Sequence, residues 1–282
     1  MATAAGDGTP AIVLELTGEA TPIPTLLVDL WRHRGLLPML AAKDFHARYR
    51  SATLGVLWSV LLPLLQGAVF AVVFTKVVGV PVSPGVSYPI FVISGMVLWS
   101  FLTQSLSAGS TAIVDGGAIA GKVYFPRSIL PAVPVLANLI SLAIAQTTVL
   151  ALMPVFHVPF RATLVLLPVA MALTAVVATL LAEPLSLLHV YFRDVRYVVQ
   201  AGLMVALYAS PVIYPLDAAK GVRPLLLANP VSGPLQLARY AIFGEADALA
   251  RSLLVTLAWV VILAAATLTA FRRHERIAMD RL

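Results

Sequence analysis

Six long apolar stretches constrain this chain more than any other feature of its sequence. A helix needs about 20 consecutive apolar residues to cross the hydrocarbon core of a bilayer, and stretches of roughly that length recur along the 282 residues. The chain is 60% apolar and 11% charged, which is more apolar surface than a water-soluble domain can bury. The sequence therefore predicts an all-α membrane protein with six transmembrane helices, at about residues 54–75, 89–113, 129–155, 164–188, 198–214 and 252–271.

The segments outside these spans predict a single transmembrane domain over residues 25–282. Residues 1–24 hold three acidic residues and no Lys or Arg, so we interpret them as a polar N-terminal tail and not as a signal peptide. Residues 25–51 mix leucines with Lys and Arg, a pattern typical of an amphipathic helix at the membrane interface. Residues 215–251 contain four prolines and apolar runs too short to span, which predicts short re-entrant helices before the last span.

The distribution of basic residues predicts the orientation of the chain. Cytoplasmic loops of membrane proteins are enriched in Lys and Arg. With six spans, 13 of the 19 basic residues fall on the side that carries the chain termini and 6 fall on the other side. We therefore expect both termini in the cytoplasm. The net charge of +6 follows from this topology, because the basic residues form short clusters between apolar spans and no single soluble face for nucleic acid.

Few residues offer the chemistry of an enzyme or a cofactor site. The chain has no cysteine, and His157 and His189 lack ligand partners at suitable spacing, so we expect no metal site. Residues 116–123, GGAIAGKV, match a phosphate-binding loop except at the last position, where Val123 replaces the Ser or Thr that would hold Mg²⁺. The chain leaves no room for a nucleotide-binding domain around this loop. We therefore expect no catalytic site and no cofactor in this chain.

Polar side chains inside the predicted spans are candidates either for a transport path or for contacts between helices. Glu183 is the one carboxylate deep within a span. A charge at that depth is costly, so Glu183 marks either a functional site or a polar contact beside Pro184. Gln66 and Asn138 either line a hydrated path or fasten one helix to another by hydrogen bonds.

Six segments, taken in chain order, resemble the ABC-2 family of permeases and specifically its polysaccharide exporters, which move O-antigen, teichoic acid or galactan precursors. They are RYRSATLGVLWSVLLP (48–63), SGMVLWSF (94–101), KVYFPRSILP (122–131), VYFRDV (190–195), SPVIYP (210–215) and NPVSGPLQLARYAIFG (229–244). Each segment falls at the topological position that the charge count assigns to it. Glu183 and Pro184 depart from the family's pattern.

This resemblance implies the permease subunit of an ATP-driven exporter in the bacterial inner membrane. It implies a homodimer of this chain on two copies of a separate ATPase, which would bind ATP and Mg, and a lipid-linked polysaccharide such as cell-wall galactan or O-antigen as cargo. Arg48, Tyr49 and Arg50 would receive the pyrophosphate of the lipid carrier or face the headgroups. The residues expected to couple this chain to the ATPase are Lys122, Tyr124, Phe125, Pro126, Arg127, Arg193 and Asp194.

The resemblance also implies a path for a glycan, in which aromatic rings stack on sugars. The expected path residues are Gln66, Trp99, Phe101, Asn138, Glu183, Tyr208 and Tyr214.

Three other functions remain open from the residues alone. An ABC-2 permease for a drug or another lipid would share the fold and differ in its path. A proton-coupled secondary transporter would use Glu183 as the proton carrier, although the sequence offers no relay beside it. A membrane glycosyltransferase or polymerase would need catalytic acids, and only Asp217, Glu245 and Asp247 populate the long outer loop.

Overall fold

A computed structural model of the chain describes residues 35–50, 53–78, 86–116, 128–219 and 221–280. Within these ranges every regular element is helical and no β-strand occurs, which confirms the predicted all-α class. Helices suit lipid because all of their backbone hydrogen bonds are made within the segment. The α-helices in chain order are α1 (Leu36–Tyr49), α2 (Trp58–Val73), α3 (Tyr88–Gly109), α4 (Ala112–Asp115), α5 (Ile129–Leu152), α6 (Leu167–Tyr191), α7 (Val195–Tyr208), α8 (Arg223–Leu227), α9 (Ser232–Phe243) and α10 (Leu249–Asp280).

Five helical segments within the described ranges are long and apolar enough to cross a membrane, and each corresponds to a predicted span. With short 3₁₀ or π-helical extensions counted, they are Gly55–Lys76, Tyr88–Gly109, Ile129–Leu152, Ala162–Tyr191 and Leu249–Ala270.

The remaining predicted span, at residues 198–214, holds a shorter helix. Helix α7 has 14 residues, and the chain continues from it in turns. Pro211 explains the early end of α7, because proline lacks an N–H donor and disfavours helical backbone in the residue before it. A sixth crossing therefore stays a prediction.

Helix α3 forms the centre of the fold. It packs on α2, α5 and α6, and 17 of its 22 residues are buried. Gly67 of α2 permits a close approach to α3, because a Cβ at this position would lie 2.8 Å from the side chain of Ile93. Small residues at such crossings are the usual way in which membrane helices pack closely. By contrast, only 11% of the most apolar part of the span Leu249–Ala270 is buried, so most of this helix faces outward.

Helix α1 is attached to α5 by polar side chains. The Arg48 guanidinium donates to the Asn138 side-chain oxygen at 2.7 Å and pairs with Asp44 of its own helix at 2.7 Å. The Tyr49 and Ser141 hydroxyls are 3.1 Å apart. The tail at 1–24 and the first part of the predicted interfacial helix, residues 25–34, lie outside the described residues. The interfacial role of this helix stays a prediction.

The connection between α7 and α10 folds back onto the bundle. It contains α8 and α9, and neither is long enough to span a bilayer. Helix α9 packs against α10, α6 and α3, and 11 of its 12 residues are buried. It also contacts the turn at Ala162–Leu166, where the Thr163 hydroxyl donates to the Ala241 carbonyl at 3.0 Å. The connections before α6 and before α10 therefore meet at the same end of the bundle.

Candidate functional site

A groove runs along α3 between α2 and α7. One part of it has a volume of about 430 Å³. Its floor is a stripe of α3 with residues spaced three or four apart, which places them on one helix face. The residues that line it are Gln66 and Phe70 of α2, Met96, Trp99, Thr103 and Ser107 of α3, and Gln200, Leu203, Met204 and Leu207 of α7.

A second cavity of about 290 Å³ extends this groove toward the start of α7. Ser107 and Gln200 line both cavities, so the two form one continuous groove. The other residues that line the second cavity are Thr111, Val114, Asp115, His189, Arg193 and Arg196.

The chemistry of the groove changes along its length. In its middle, amides and hydroxyls are interspersed with a larger apolar surface from side chains such as Phe70, Met96 and Leu207, whereas charged side chains gather at the end near α4. The Thr103 hydroxyl already donates to the carbonyls of Trp99 and Ser100, at 3.1 and 3.0 Å, which is common for hydroxyls within membrane helices. Gln66 and Gln200 are both exposed, so their amides are free to bind a polar molecule in the groove.

The charged end of the groove carries an excess of positive charge. Arg193 and Arg196 are exposed, and neither forms a salt bridge within the described part of the chain. The nearby Asp115 carboxylate accepts a hydrogen bond from Thr111 at 2.6 Å. His189 is buried, and its Nδ1 has no hydrogen-bond partner among the described residues. Such an end suits an anionic group or an acidic partner surface.

At the other end of α7, side chains from elsewhere in the fold bind the backbone of the turns that follow this helix. The Asn229 amide donates to the Ala209 carbonyl at 3.0 Å, and the Arg239 guanidinium donates to the Val212 carbonyl at 2.9 Å. The Tyr88 hydroxyl donates to the Ile213 carbonyl at 2.5 Å. Buried carbonyls outside a helix need such donors, because an unpaired one costs free energy comparable to a lost hydrogen bond.

The predicted path residues do not lie together in the structure. Gln66 and Trp99 lie in the groove, and Tyr208 lies at the end of α7, where its carbonyl accepts a hydrogen bond from the Tyr214 hydroxyl. Phe101 and Asn138 line a separate cavity of about 10 Å³ between α3 and α5. Glu183 of α6 lies outside both parts of the groove, and no described side chain forms a hydrogen bond or salt bridge with it. The assignment of these residues to a path stays a prediction.

The structure describes only some of the predicted coupling and headgroup residues. Lys122, Tyr124, Phe125, Pro126 and Arg127 lie outside the described residues. Arg193 lines the charged end of the groove, and Asp194 directly precedes α7. Arg48 and Tyr49 contact α5, whereas Arg50 is exposed.

Sequence reasoning missed most of the polar lining of the groove. Thr103, Ser107 and Thr111 recur every four residues, a spacing that marks one face of a helix. Arg196 and Gln200 lie four residues apart on one side of α7, and Arg193 precedes this helix by two residues. These two stripes of polar residues could have indicated the lining of the groove from the sequence.

The profile of the family described as "ABC-2 type transporter" matches residues 36–243. The "O-antigen export system permease protein RfbA" of Myxococcus xanthus is 32% identical over 262 residues, which cover 89% of this chain and 97% of that protein. Two Klebsiella pneumoniae proteins of the same name are 28% and 29% identical over 184 and 188 residues, each match covering 64% of this chain and 70% of the relative.

Proposed function

Because the chain belongs to the ABC-2 type transporter family, we propose that it is the membrane subunit of an ATP-driven exporter of a lipid-linked polysaccharide. The cargo, a glycan such as O-antigen or cell-wall galactan, would move from the cytoplasm to the outer side of a bacterial inner membrane. The relatives named O-antigen export permeases support this cargo class. The observation that carries the proposal is the groove along α3.

The lining of the groove fits a hydrophilic polymer. A glycan must cross about 30 Å of hydrocarbon, where an unpaired hydroxyl costs several kcal/mol. Gln66, Thr103, Ser107 and Gln200 supply polar groups along the groove, and the Trp99 indole adds an aromatic surface for a sugar ring.

One copy of the chain supplies only one wall of a path. Within α7 only Val195 and Val199 are buried, so most of this helix is exposed beside the groove. We propose that two copies pair with their grooves facing each other, because a two-fold arrangement would cover α7 and enclose the polar lining. This pairing accounts for exposed side chains such as Met204, which is 72% exposed.

A sixth crossing would be completed by α7 and the turns that follow it. The 14 residues of α7 span about 21 Å, which leaves several ångströms of the hydrocarbon core to residues 209–214. Non-helical backbone is tolerated at membrane depth where it is buried in protein, and side chains of α3, α9 and Asn229 bind this backbone. Helices α8 and α9 would then be re-entrant or interfacial elements on the outer side, and both termini would be cytoplasmic.

Energy would come from two copies of a separate ATPase that binds ATP and Mg. Residues 122–127, with Arg193 and Asp194, would contact the ATPase, and the position of Arg193 at the charged end of the groove fits a cytoplasmic location. ATP binding and hydrolysis in the ATPase would shift the permease between inward-facing and outward-facing states. The exposed Arg50 is the best placed of the three headgroup candidates for a lipid pyrophosphate, because Arg48 and Tyr49 bind α5.

Export of lipid-linked glycan by this chain and its ATPase, reconstituted in liposomes, tests the proposal. Leucine at Ser107 narrows the groove where its two parts join, whereas Val261→Leu changes an outward-facing position of α10. We expect Ser107→Leu to abolish ATP-dependent transfer of glycan to the outer leaflet and Val261→Leu to preserve it. Unimpaired export by Ser107→Leu would refute the path. Transport that requires a proton gradient and Glu183, with no associated ATPase, would refute the family's mechanism for this chain.

A further inference from the structure

A cavity separate from the groove lies at the opposite end of the molecule from the groove's charged end, between α3, α9 and the loop before α10. Its volume is about 230 Å³, equivalent to roughly seven or eight water molecules at about 30 Å³ each. Its lining residues include Phe91, Leu216, Gln236, Arg239, Phe243 and Glu245. No residue of the groove is among them.

Arg239 is the unusual member of this cavity. It is 3% exposed, and its guanidinium lies 3.8 Å from the centroid of the Phe91 ring. The guanidinium donates one hydrogen bond, to the Val212 carbonyl, while its Nε has no partner within the described residues. No carboxylate pairs with it in the described ranges. A buried charge with free donors is costly unless something binds it, so Arg239 indicates a ligand.

Gln236 supports the same interpretation. It lies three residues before Arg239 on α9, so both side chains share one helix face. It is 2% exposed and lines the cavity, and its amide makes no hydrogen bond within the part of the chain that the structure describes. A buried amide is normally hydrogen-bonded. The base of the cavity thus offers donors from Arg239 and both a donor and an acceptor from Gln236.

The rim of the cavity is acidic. Asp217 and Asp247 flank the Arg223 guanidinium, at 3.4 and 2.7 Å, and Glu245 is exposed without a salt bridge among the described residues. Burial, with the neighbouring Asp217 charge, raises the pKa of Asp247. The rim therefore already carries several negative charges, which disfavours the binding of an anionic ligand. The positive charge of Arg239 would repel a cationic ligand, and the described residues contain no acidic or histidine cluster suited to a metal ion.

We propose that this cavity binds one neutral sugar unit of a glycan. Sugar hydroxyls both donate and accept, so they can satisfy the Arg239 and Gln236 donors at the base and the Glu245 carboxylate at the rim. The apolar C–H face of a pyranose fits walls such as Leu216 and Phe243. The site would hold the emerging glycan on the outer side of the membrane. The role of holding an emerging glycan rests on the proposed export function. The binding of a sugar to this cavity does not depend on that function.

Sugar binding to the full chain in nanodiscs tests the proposal, with saturation-transfer NMR on galactose, mannose and N-acetylglucosamine as the probes. Ala246 lines the cavity, so Ala246→Trp fills it without removing a polar group, whereas Ala250→Trp adds the same bulk at an exposed site on α10. We expect saturation transfer to at least one sugar, its loss in Ala246→Trp and its retention in Ala250→Trp. Gln236→Leu should weaken binding about tenfold, the cost of a lost hydrogen bond to a buried partner.

The outcomes separate this proposal from the proposed function. A folded wild-type chain that binds none of the sugars, or equal binding by both tryptophan variants, would overturn the sugar site. Tighter binding of galacturonate than of galactose would replace it with an anion site. If sugar binding behaves as expected while the liposome assay detects no glycan export, the site stands and the proposed function fails. If export is observed without sugar binding, the sugar site alone fails.

Discussion

At the scale of single residues, two buried amides on α5 differ in whether they have hydrogen-bond partners. Asn138 accepts from Arg48 at 2.7 Å and donates to Ser105 at 3.2 Å, which joins α1 and α3 to α5. Gln146 is 3% exposed, yet neither of its amide atoms has a partner among the described residues. The same substitution should therefore have opposite effects at these two positions.

We predict that Asn138→Leu lowers the thermal unfolding temperature and that Gln146→Leu leaves it unchanged or raises it. The loss of two interhelical hydrogen bonds at about 0.6 kcal/mol each corresponds to roughly 1 kcal/mol for Asn138→Leu. Gln146→Leu removes an unpaired polar group from the interior and so removes its desolvation cost. Differential scanning fluorimetry of the purified chain in one detergent checks both. Equal destabilisation by the two variants would show that Gln146 is also bound.

The positions of Trp99 and Phe101 show that residue type alone does not predict which way a side chain on α3 points. Both were expected to face a path, but residues two apart on an α-helix point about 200° away from each other. Trp99 lies in the groove, and Phe101 lies toward α5. Residue type indicated aromatic candidates, whereas the rotation of α3 depends on how α2, α5 and α6 pack around it. That packing is not encoded in any short segment.

At the scale of elements, the turns after α7 depend on donors from distant parts of the chain. Tyr88, at the start of α3, donates to the Ile213 carbonyl, and Gly95 leaves space for this segment, since a Cβ there would lie 2.9 Å from the Val212 oxygen. Pro211 was a signal in the sequence for an early helix end, which the predicted span at 198–214 did not take into account. The donors that stabilise the broken backbone could not be identified from sequence, because they lie as many as 125 residues away.

We predict that Tyr88→Phe increases local opening of residues 209–215 with little effect on the rest of the bundle. The variant keeps the aromatic ring and removes only the hydroxyl that binds the Ile213 carbonyl. Hydrogen exchange measured by mass spectrometry should show faster exchange in peptides covering this segment. Tyr49→Phe is the matched control, because its hydroxyl contacts Ser141 on α5, away from these turns. If exchange at 209–215 is unchanged in Tyr88→Phe, the remaining donors suffice to hold the turns.

At the scale of the whole molecule, apolar length predicted the membrane-crossing helices well. All five membrane-length segments of the described chain coincide with predicted spans, because each span must satisfy its own backbone in lipid and so is determined locally. The groove could not be predicted in this way. It arises where α2 and α7 stand apart on α3, and that spacing is a property of the assembled bundle.

The exposure of α7 predicts the arrangement of two copies, and the cysteine-free sequence makes it directly testable. Gln200, Met204 and Tyr208 form one exposed stripe, with successive members four positions apart. If two copies face each other across their grooves, a single cysteine at one or more of these positions will lie near its symmetry mate. Mild oxidation of native membranes should then give a disulfide-linked dimer on non-reducing gels.

Cysteines at Leu254, Leu257 and Val261 of α10 provide the matched control, because these side chains are also exposed, at 68%, 52% and 69%. In the proposed dimer they face lipid on the outer surface, so they should remain monomeric under the same oxidation. Crosslinking along α10 but not α7 would place the interface on the opposite side of the bundle and leave the groove open to lipid. Polar side chains such as Gln200 would then face hydrocarbon at a high cost in free energy, so crosslinking along α10 alone would exclude the groove as a path for a glycan.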